Sequence, residues 1–357
     1  MQMQTRTKSG GNKSIVWLLI AAIAIVVIAA LAWMLFAPSG AFLDNKGKKV
    51  TVEVKTGAGT ADIASSLANS GVISNELLFR IQARLTQSDG QFKAGVYKIE
   101  AGESLSKIIE ELKKGPQAVY VTVTIPEGKT IAQIGQILEK EAGINGNEFI
   151  AYAHSAAPEL AASYPVLKDA YNGSLEGYLF PDTYRITETA TPQKVADMMV
   201  KRFNEVFTSL DIPAARAQKY TTNQLITIAS LVEREVASAK DRPLVASVID
   251  NRLAKGMKLQ FCSSVQFLLP GEEERTKVRL TNADISISSP YNTYKNKGLP
   301  PGPIANPGKA ALEAAIQPAQ SNYLFFQVVD KNGTTKFDKT AADFQRTKTQ
   351  AKAAIGK

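Results

Sequence analysis

An unbroken apolar run, IVWLLIAAIAIVVIAALAWMLF from Ile15 to Phe36, constrains this chain more than any other stretch. It carries no charge, and a hydrocarbon core about 30 Å thick needs roughly 20 helical residues. Trp17 and Trp33 stand near its two ends, where indoles favour the membrane–water interface, and Arg6, Lys8 and Lys13 precede it. Basic flanks stay inside, so residues 1–14 are expected in the cytoplasm and the remaining chain outside. A cleaved signal peptide competes with this reading, with Ser39-Gly40-Ala41 as its small-residue site. Secretory h-regions run only about 7–15 residues, shorter than this run. The expectation is a single-pass protein of the cytoplasmic (inner) membrane: helix at 15–36, linker at 37–49, and a large extracytoplasmic body.

At 357 residues, that body has room for two domains. One cysteine, Cys262, excludes an internal disulfide framework. With a single histidine, His154, it also argues against Cys/His zinc sites and Cys-His nucleophilic pairs. His154 lies in a polar Ala/Ser-rich stretch with no nucleophile elbow nearby and reads as a surface or helix-end residue. The net charge of +9 is concentrated at the N-terminus, where six Lys and Arg face Asp44 alone within the first fifty residues. No basic stripe with interleaved aromatics follows, so nucleic acid is not an expected partner.

Three segments share one pattern, a glycine with Ile six and Leu ten residues on: Gly57/Ile63/Leu67, Gly102/Ile108/Leu112 and Gly128/Ile134/Leu138. Each follows a β-like run (VTVEV ending at Val54, VYKIE from Val96, VTVTI from Val121) and continues at helical spacing, with Thr60, Ser104 and Thr130 as expected N-caps. The first two copies, with a helix at Leu77–Leu85 between them, predict a βααβ module over 50–118 of LysM-like shape. A glycan-binding role and a plain spacer role stay open for it. Residues 119–357 read as one larger α+β domain. Helices are expected at Ile131–Ala142, Pro192–Thr208, Thr222–Ala237, Arg242–Lys255 and Pro307–Ile316, the last with Asn306 as N-cap and Pro307 at N1. Tyr323–Val329 and Thr334–Phe337 flank Asn332-Gly333, which predicts a hairpin closed by a type I′ turn.

LITIASLVEREV (Leu225–Val236) sets two carboxylates in an apolar helical pattern. Glu233 and Glu235 diverge by about 200° on a helix, so they cannot flank one glycosidic bond as an acid and nucleophile pair. Glu235 follows Ile228, Leu231 and Val232 on an apolar stripe. Burial there would raise its pKa toward that of a general acid. The alternative is that both carboxylates are salt-bridged to Arg234, Lys240 or Arg242. In SLEGYLFPDTYRI, Glu176, Tyr178, Asp182 and Tyr184 form a Tyr-rich bend suited to stacking on sugar rings. In YNTYKNKGLPPGPIANPG, Pro and Gly stiffen a long loop that pre-orders Tyr291, Asn292, Tyr294 and Lys295 as a wall.

LEGYLFPDTY (175–184), IASLVEREV (228–236), VASVIDNRLAKGMKLQ (245–260) and SPYNTYKNKGLPPGPIANPG (289–308), in this order, resemble the endolytic murein transglycosylases, the MltG/YceG-like proteins. The resemblance implies a LysM-like module, a catalytic domain and cleavage of nascent peptidoglycan strands at the membrane beside peptidoglycan synthases. It places the catalytic glutamate at Glu235. The expected supporting or substrate-binding set is Glu233, Glu176, Tyr178, Asp182, Tyr184, Asn251, Arg252, Gln260, Ser263, Tyr291, Asn292, Tyr294 and Asn306, with no metal and no cofactor. Two departures stand out. Where that family reads Leu-Gln-x-Asp-Pro-Thr-Val this chain has LQFCSSV, so Cys262 and Ser263 replace Asp-Pro. Near the C-terminus Lys336 and Phe344 lie where the family has histidines. Cys262 reads as a small buried filler. A lytic transglycosylase forming 1,6-anhydro ends is the leading reading. A non-catalytic wall-binding scaffold and a water-using muramidase, with Glu176 or Asp182 as second carboxylate, are the alternatives.

Overall fold

The computed structural model describes residues 12–36, 46–117, 119–270, 280–330 and 333–355, although at 12–16, 30–36, 354 and 355 only the backbone is described. α1 (Asn12–Phe36) is one continuous helix containing the apolar run. Its described side chains run from Trp17 to Ala29, all exposed. Among the described residues no helix is long and apolar enough to cross a membrane. Residues 1–11 of the expected tail and 37–45 of the expected linker lie outside the described residues, and residues 12–14 of that tail belong to α1. The chain divides into two compact units, Met1–Ala118 and Val119–Lys357.

In the first unit β1 (Lys49–Val54) pairs antiparallel with β2 (Gly95–Glu100), Val52 opposite Tyr97. The pleat turns Val52, Val54, Tyr97 and Ile99 inward. α2 (Thr60–Asn69) and α3 (Glu76–Leu85) follow β1, giving the order βααβ, and α4 (Leu105–Lys114) follows β2. Gly57, Gly102 and Gly128 of the repeated pattern all take positive φ, near +79°, +82° and +74°. Their Ile and Leu partners are all at most 2% exposed. Each copy is therefore a left-handed turn launching a helix whose i, i+4 pair enters a core. One expected cap shifts. Gly59, not Thr60, is the N-cap of α2, because the Thr60 hydroxyl donates to Asp89 (2.8 Å).

In the second unit β3 (Tyr120–Thr124) pairs antiparallel with β4 (Thr183–Thr187). Around them pack α5 (Ile131–Ala142), α6 (Gly146–Ala153), α7 (Ala157–Leu160), α8 (Pro192–Thr208) and α9 (Ala214–Lys219). Thr130 caps α5 through a reciprocal bond with Gln133, and His154 is the exposed C-cap of α6. α10 (Thr222–Glu235) is the central helix. α11 (Arg242–Ala254), α12 (Cys262–Gln266), α13 (Asn282–Ile285), α14 (Lys309–Ile316), the hairpin β5 (Phe325–Val328) and β6 (Thr335–Asp338), and α15 (Ala341–Ile355) complete the unit.

Two start signals fail in this unit. α14 begins at Lys309 with Gly308 as its cap, because Asn306 spends its side chain on tertiary bonds. In the hairpin, Val329 N–H donates to the Thr334 carbonyl (2.8 Å), leaving four residues in the connection where a two-residue turn was expected. Asp330 accepts from Thr334 N–H (3.0 Å) and supports the longer path. Lys331 and Asn332 of that turn lie outside the described residues.

Candidate active site

α10 starts with a capping box, Thr221 with Gln224, and then buries every residue from Leu225 to Val232. Its interior hydroxyls turn back onto the helix, Thr227 to the Asn223 carbonyl and Ser230 to the Thr227 carbonyl. Ser230 Oγ also accepts from Ile304 N–H (3.1 Å), which ties the Pro/Gly-rich loop to the helix. The helix stops two residues earlier than expected. Val236 is extended (φ −140°, ψ 132°), so Glu235 is the last helical residue. A carboxyl at the negative end of a helix dipole is harder to ionise.

Glu235 is half-buried, and its Oε1 accepts from the Ser263 hydroxyl (2.6 Å) at the start of α12. Burial pushes its carboxyl above the usual carboxylate range, against the pull of the Ser263 hydroxyl and amide and the Arg234 and Arg252 charges. Arg252 is buried and held in place by donating to the Leu324 carbonyl (2.6 Å) and to the Leu259 carbonyl. Its guanidinium stacks over Phe325, 5.1 Å from the ring centre. Next to Ser263, Cys262 is exposed, and its Sγ lies 3.1 Å from the Tyr294 hydroxyl. Cys262 is therefore no buried filler: it is N1 of a helix whose inward positions are Ser263, Ser264 and Val265. Burial holds the Tyr294 phenol protonated, with the Cys262 contact and the Glu235 charge adding to that effect.

Glu233 turns elsewhere. Its side chain is 6% exposed and accepts from Arg242 (2.8 Å) and from Gly308 N–H (3.0 Å). Arg242 also reaches Glu127 (3.3 Å). Burial raises the Glu233 pKa too, opposed by the Gly308 amide and Arg242. Of the two carboxylates, the salt-bridge alternative thus holds for Glu233. The apolar-stripe criterion did not separate them, because α10 is wrapped on all sides.

The remaining predicted residues divide sharply. Ser263, Arg252 and Tyr294 gather about Glu235. Glu176 and Asn306 form a separate buried node: Glu176 accepts from Ile131 N–H (3.1 Å) and Asn306 Nδ2 (3.0 Å). Asn306 Oδ1 takes Gly177 N–H and Leu179 N–H, and its Nδ2 also donates to the Lys129 carbonyl. Gly177 is needed there, with φ near +90° and a Cβ that would strike Pro303 at 2.4 Å. Tyr178 and Tyr184 do not present rings to a sugar. They are 0% and 7% exposed, with hydroxyls committed to Asn223 and to the Phe180 carbonyl. Tyr184 faces inward on the pleat of β4, and Tyr178 lies in the continuously buried run 175–181 that precedes it. Asp182 pairs with Arg202 (2.8 Å) and Glu176 is locked in its node, so neither serves as a carboxylate facing Glu235.

Asn251 donates to the Ser321 and Tyr323 carbonyls (both 2.9 Å). Gln260 takes an unusual positive φ of 51° and donates through its backbone N–H to the Thr293 carbonyl. Asn292 is no part of a solvent-facing wall: it is 0% exposed and donates to the Ile285 and Ile287 carbonyls. Tyr291 packs between Tyr171 and Phe267. Lys295 is exposed and reaches the Ser286 carbonyl.

The sequence reading missed the clamp beneath this site. Thr293 Oγ1 accepts from Phe261 N–H (2.9 Å) and lies 2.8 Å from Ser264 Oγ, which joins the loop to α12. Isolated Ser and Thr carry no periodic signal that could have revealed it. Cavities of about 520 and 600 Å³ lie elsewhere, the first between α14 and Pro243, the second between the α10 N-terminus and Gly298–Pro301. Neither is lined by Glu235. Among the described residues no cluster of three or more His, Cys, Asp or Glu is placed to hold a metal.

Comparison with known proteins bears on this geometry. The profile of the YceG-like family matches residues 52–350. An endolytic murein transglycosylase of Streptococcus pneumoniae strain R6 is 34% identical over 324 residues, covering 85% of this chain and 58% of that protein. The chain thus spans little more than half of the pneumococcal relative. The Bacillus subtilis protein of the same name is 33% identical over 315 residues, covering 85% of this chain and 86% of that one. The crystal structure of a YceG-like protein from Listeria monocytogenes superposes with a TM-score of 0.57 at 31% identity, covering 84% of this chain and 99% of the other.

Proposed function

This chain belongs to the YceG-like family, and from that premise we propose that it is a membrane-anchored endolytic lytic transglycosylase of peptidoglycan. It cuts the β-1,4 bond between N-acetylmuramic acid and N-acetylglucosamine in nascent strands, leaves 1,6-anhydromuramyl ends and so ends strand elongation. The names of the pneumococcal and Bacillus relatives support the reaction class. The observation that carries the assignment to a residue is Glu235, a half-buried carboxyl of raised pKa at the end of α10, bonded to Ser263 and free of the ion pair that occupies Glu233.

One acid suffices for this chemistry. Protonated Glu235 gives its proton to the glycosidic oxygen as the C1–O bond breaks. The resulting carboxylate then takes the proton of the muramyl 6-hydroxyl as that oxygen closes on C1, so the acid is restored and no water is consumed. An intramolecular nucleophile has a high effective molarity, which stands in for a protein nucleophile. Arg252, fixed by two backbone carbonyls, supplies a positive field that eases the transient carboxylate.

α1 is read as the anchor, its apolar run spanning the cytoplasmic membrane with the N-terminus inside, and the βααβ unit as a LysM-like module. Peptidoglycan synthases are the expected neighbours. The alternative is a wall-binding scaffold, favoured by the Cys262-Ser263 replacement. Digestion of uncrosslinked glycan strands by the full chain, read by mass spectrometry, separates the readings: anhydro ends support the transglycosylase, reducing ends a water-using muramidase, and intact strands the scaffold.

A further inference from the structure

Outside α1, the outer face of α3 stands out among the described helices. Leu77, Ile81 and Leu85, at i, i+4 and i+8, are 60%, 37% and 61% exposed, so three branched aliphatics form one aligned stripe in water. The opposite side, Phe79, Gln82 and Ala83, already supplies the core. Leu77 and Leu85 therefore keep most of their surface outside the packing of the unit. Isolated exposed aliphatics need no explanation, but three in register on one helix do. Arg80 and Arg84 run beside the stripe, also at i, i+4 and also exposed, and the sole acid of the helix is Glu76 in its first turn. An aliphatic stripe bordered by arginines is how a helix lies in a lipid headgroup layer: the aliphatics enter the acyl boundary and the guanidiniums stay with phosphate.

The tether gives this face one occupant. Nine residues, Ala37 to Asn45, lie in sequence between Phe36 and the segment that begins the βααβ fold, and nine residues reach at most about 32 Å. The unit cannot leave the neighbourhood of the surface from which α1 emerges. Lys46, Lys48 and Lys49, directly after the tether, add positive charge. A glycan partner fits the face poorly, since it offers no aromatic ring and no amide for sugar hydroxyls.

We propose that α3 rests on the extracytoplasmic surface of the membrane, with Leu77, Ile81 and Leu85 inserted among anionic lipids and Arg80 and Arg84 on their phosphates. The inference rests on reading α1 as the membrane anchor. It makes the first unit a membrane-seated base instead of a free spacer.

The test uses the full chain in nanodiscs of phosphatidylglycerol and phosphatidylethanolamine. An environment-sensitive fluorophore is attached at Ile81→Cys, Lys98→Cys or Ala22→Cys, each in a Cys262→Ser background. Lys98 is exposed between the inward-facing Tyr97 and Ile99, on the side of the strand pair away from the helices. The expected result is blue-shifted emission and doxyl-lipid quenching for the labels at 22 and 81, and water-like emission at 98. The signal at 81 should fall when Leu77→Ser and Leu85→Ser are combined, and when neutral phosphatidylcholine replaces the anionic lipid. A membrane-embedded label at 22 with a water-exposed label at 81 overturns the α3 contact alone. A water-exposed label at 22 overturns the anchor and the contact together. A shift at 81 that needs added glycan strands, or two copies per nanodisc, assigns the face to those partners and refutes the lipid contact.

Discussion

Glu233 meets a buried guanidinium and a backbone amide, whereas Glu235, two residues further along the same helix, meets a serine hydroxyl. Burial raises both carboxyls, so burial alone does not distinguish a structural acid from a chemical one. The partners do. A carboxylate held by a full positive charge and an amide is committed to the loop it fastens. One held by a hydroxyl can release and regain a proton without loosening the fold. The same contrast sets the Glu176–Asn306 node apart from Glu235: the node spends every bond on joining loops, and nothing is left for a substrate.

The comparison breaks most readily at Glu235. Glu235→Gln should lower strand cleavage by about 10²–10⁴-fold, the share typical of a general acid, measured on uncrosslinked strands. The fold should survive. Because the folded-state pKa of Glu235 is raised, its protonated form contributes stability that is complete below the unfolded pKa and is lost as pH rises through the folded pKa. The glutamine variant lacks that loss, so at neutral pH it should melt above the parent. A lower melting temperature would place Glu235 with the structural acids. Glu233→Ala should act on stability instead, costing about 3 kcal/mol in chemical denaturation because the buried Arg242 guanidinium and the Gly308 amide both lose the acceptor that holds them. Cleavage per folded molecule should change little.

Asn306→Ala strips acceptors from the Gly177 and Leu179 amides and should cost about 2 kcal/mol. Ser263→Ala has the smallest effect. The hydroxyl lowers the Glu235 pKa, so its removal should raise that pKa further and move the alkaline limb of activity to higher pH. A limb that stays in place would show that Ser263 does not tune the acid.

Where local chemistry decided the outcome, the sequence was a good guide. Ile131–Ala142 and Pro192–Thr208 begin at capping threonines, Thr130 and Thr191, and run as their periodicity predicts. The three repeated strand-to-helix units form as their spacing suggested, each turning through a glycine of positive φ. It misled wherever a polar side chain had a distant competitor. Asn306 looks like a cap and is instead the hub of a tertiary node. Thr60 serves Asp89, and Asp330 opens a hairpin that Asn-Gly seemed to close. Tyr178 and Tyr184 read as a sugar platform because sequence alone does not say which side of a bend faces the core. Glu235 was singled out for its stripe, yet its real distinction is the early end of α10 and the hydroxyl that waits there.

The reach of Asn306 sets a timetable. Its partners lie as far back as Lys129, a separation of 177 residues, and Ile304 and Gly308 fasten α10 from the same late segment. Contacts so far apart along a chain form last, and a chain made from its N-terminus cannot form them until the distant half exists. A chain made only as far as α10 would carry Glu235 on an unbraced helix, so under the proposed function it gains its cutting site only after Ile304, Asn306 and Gly308 have been added.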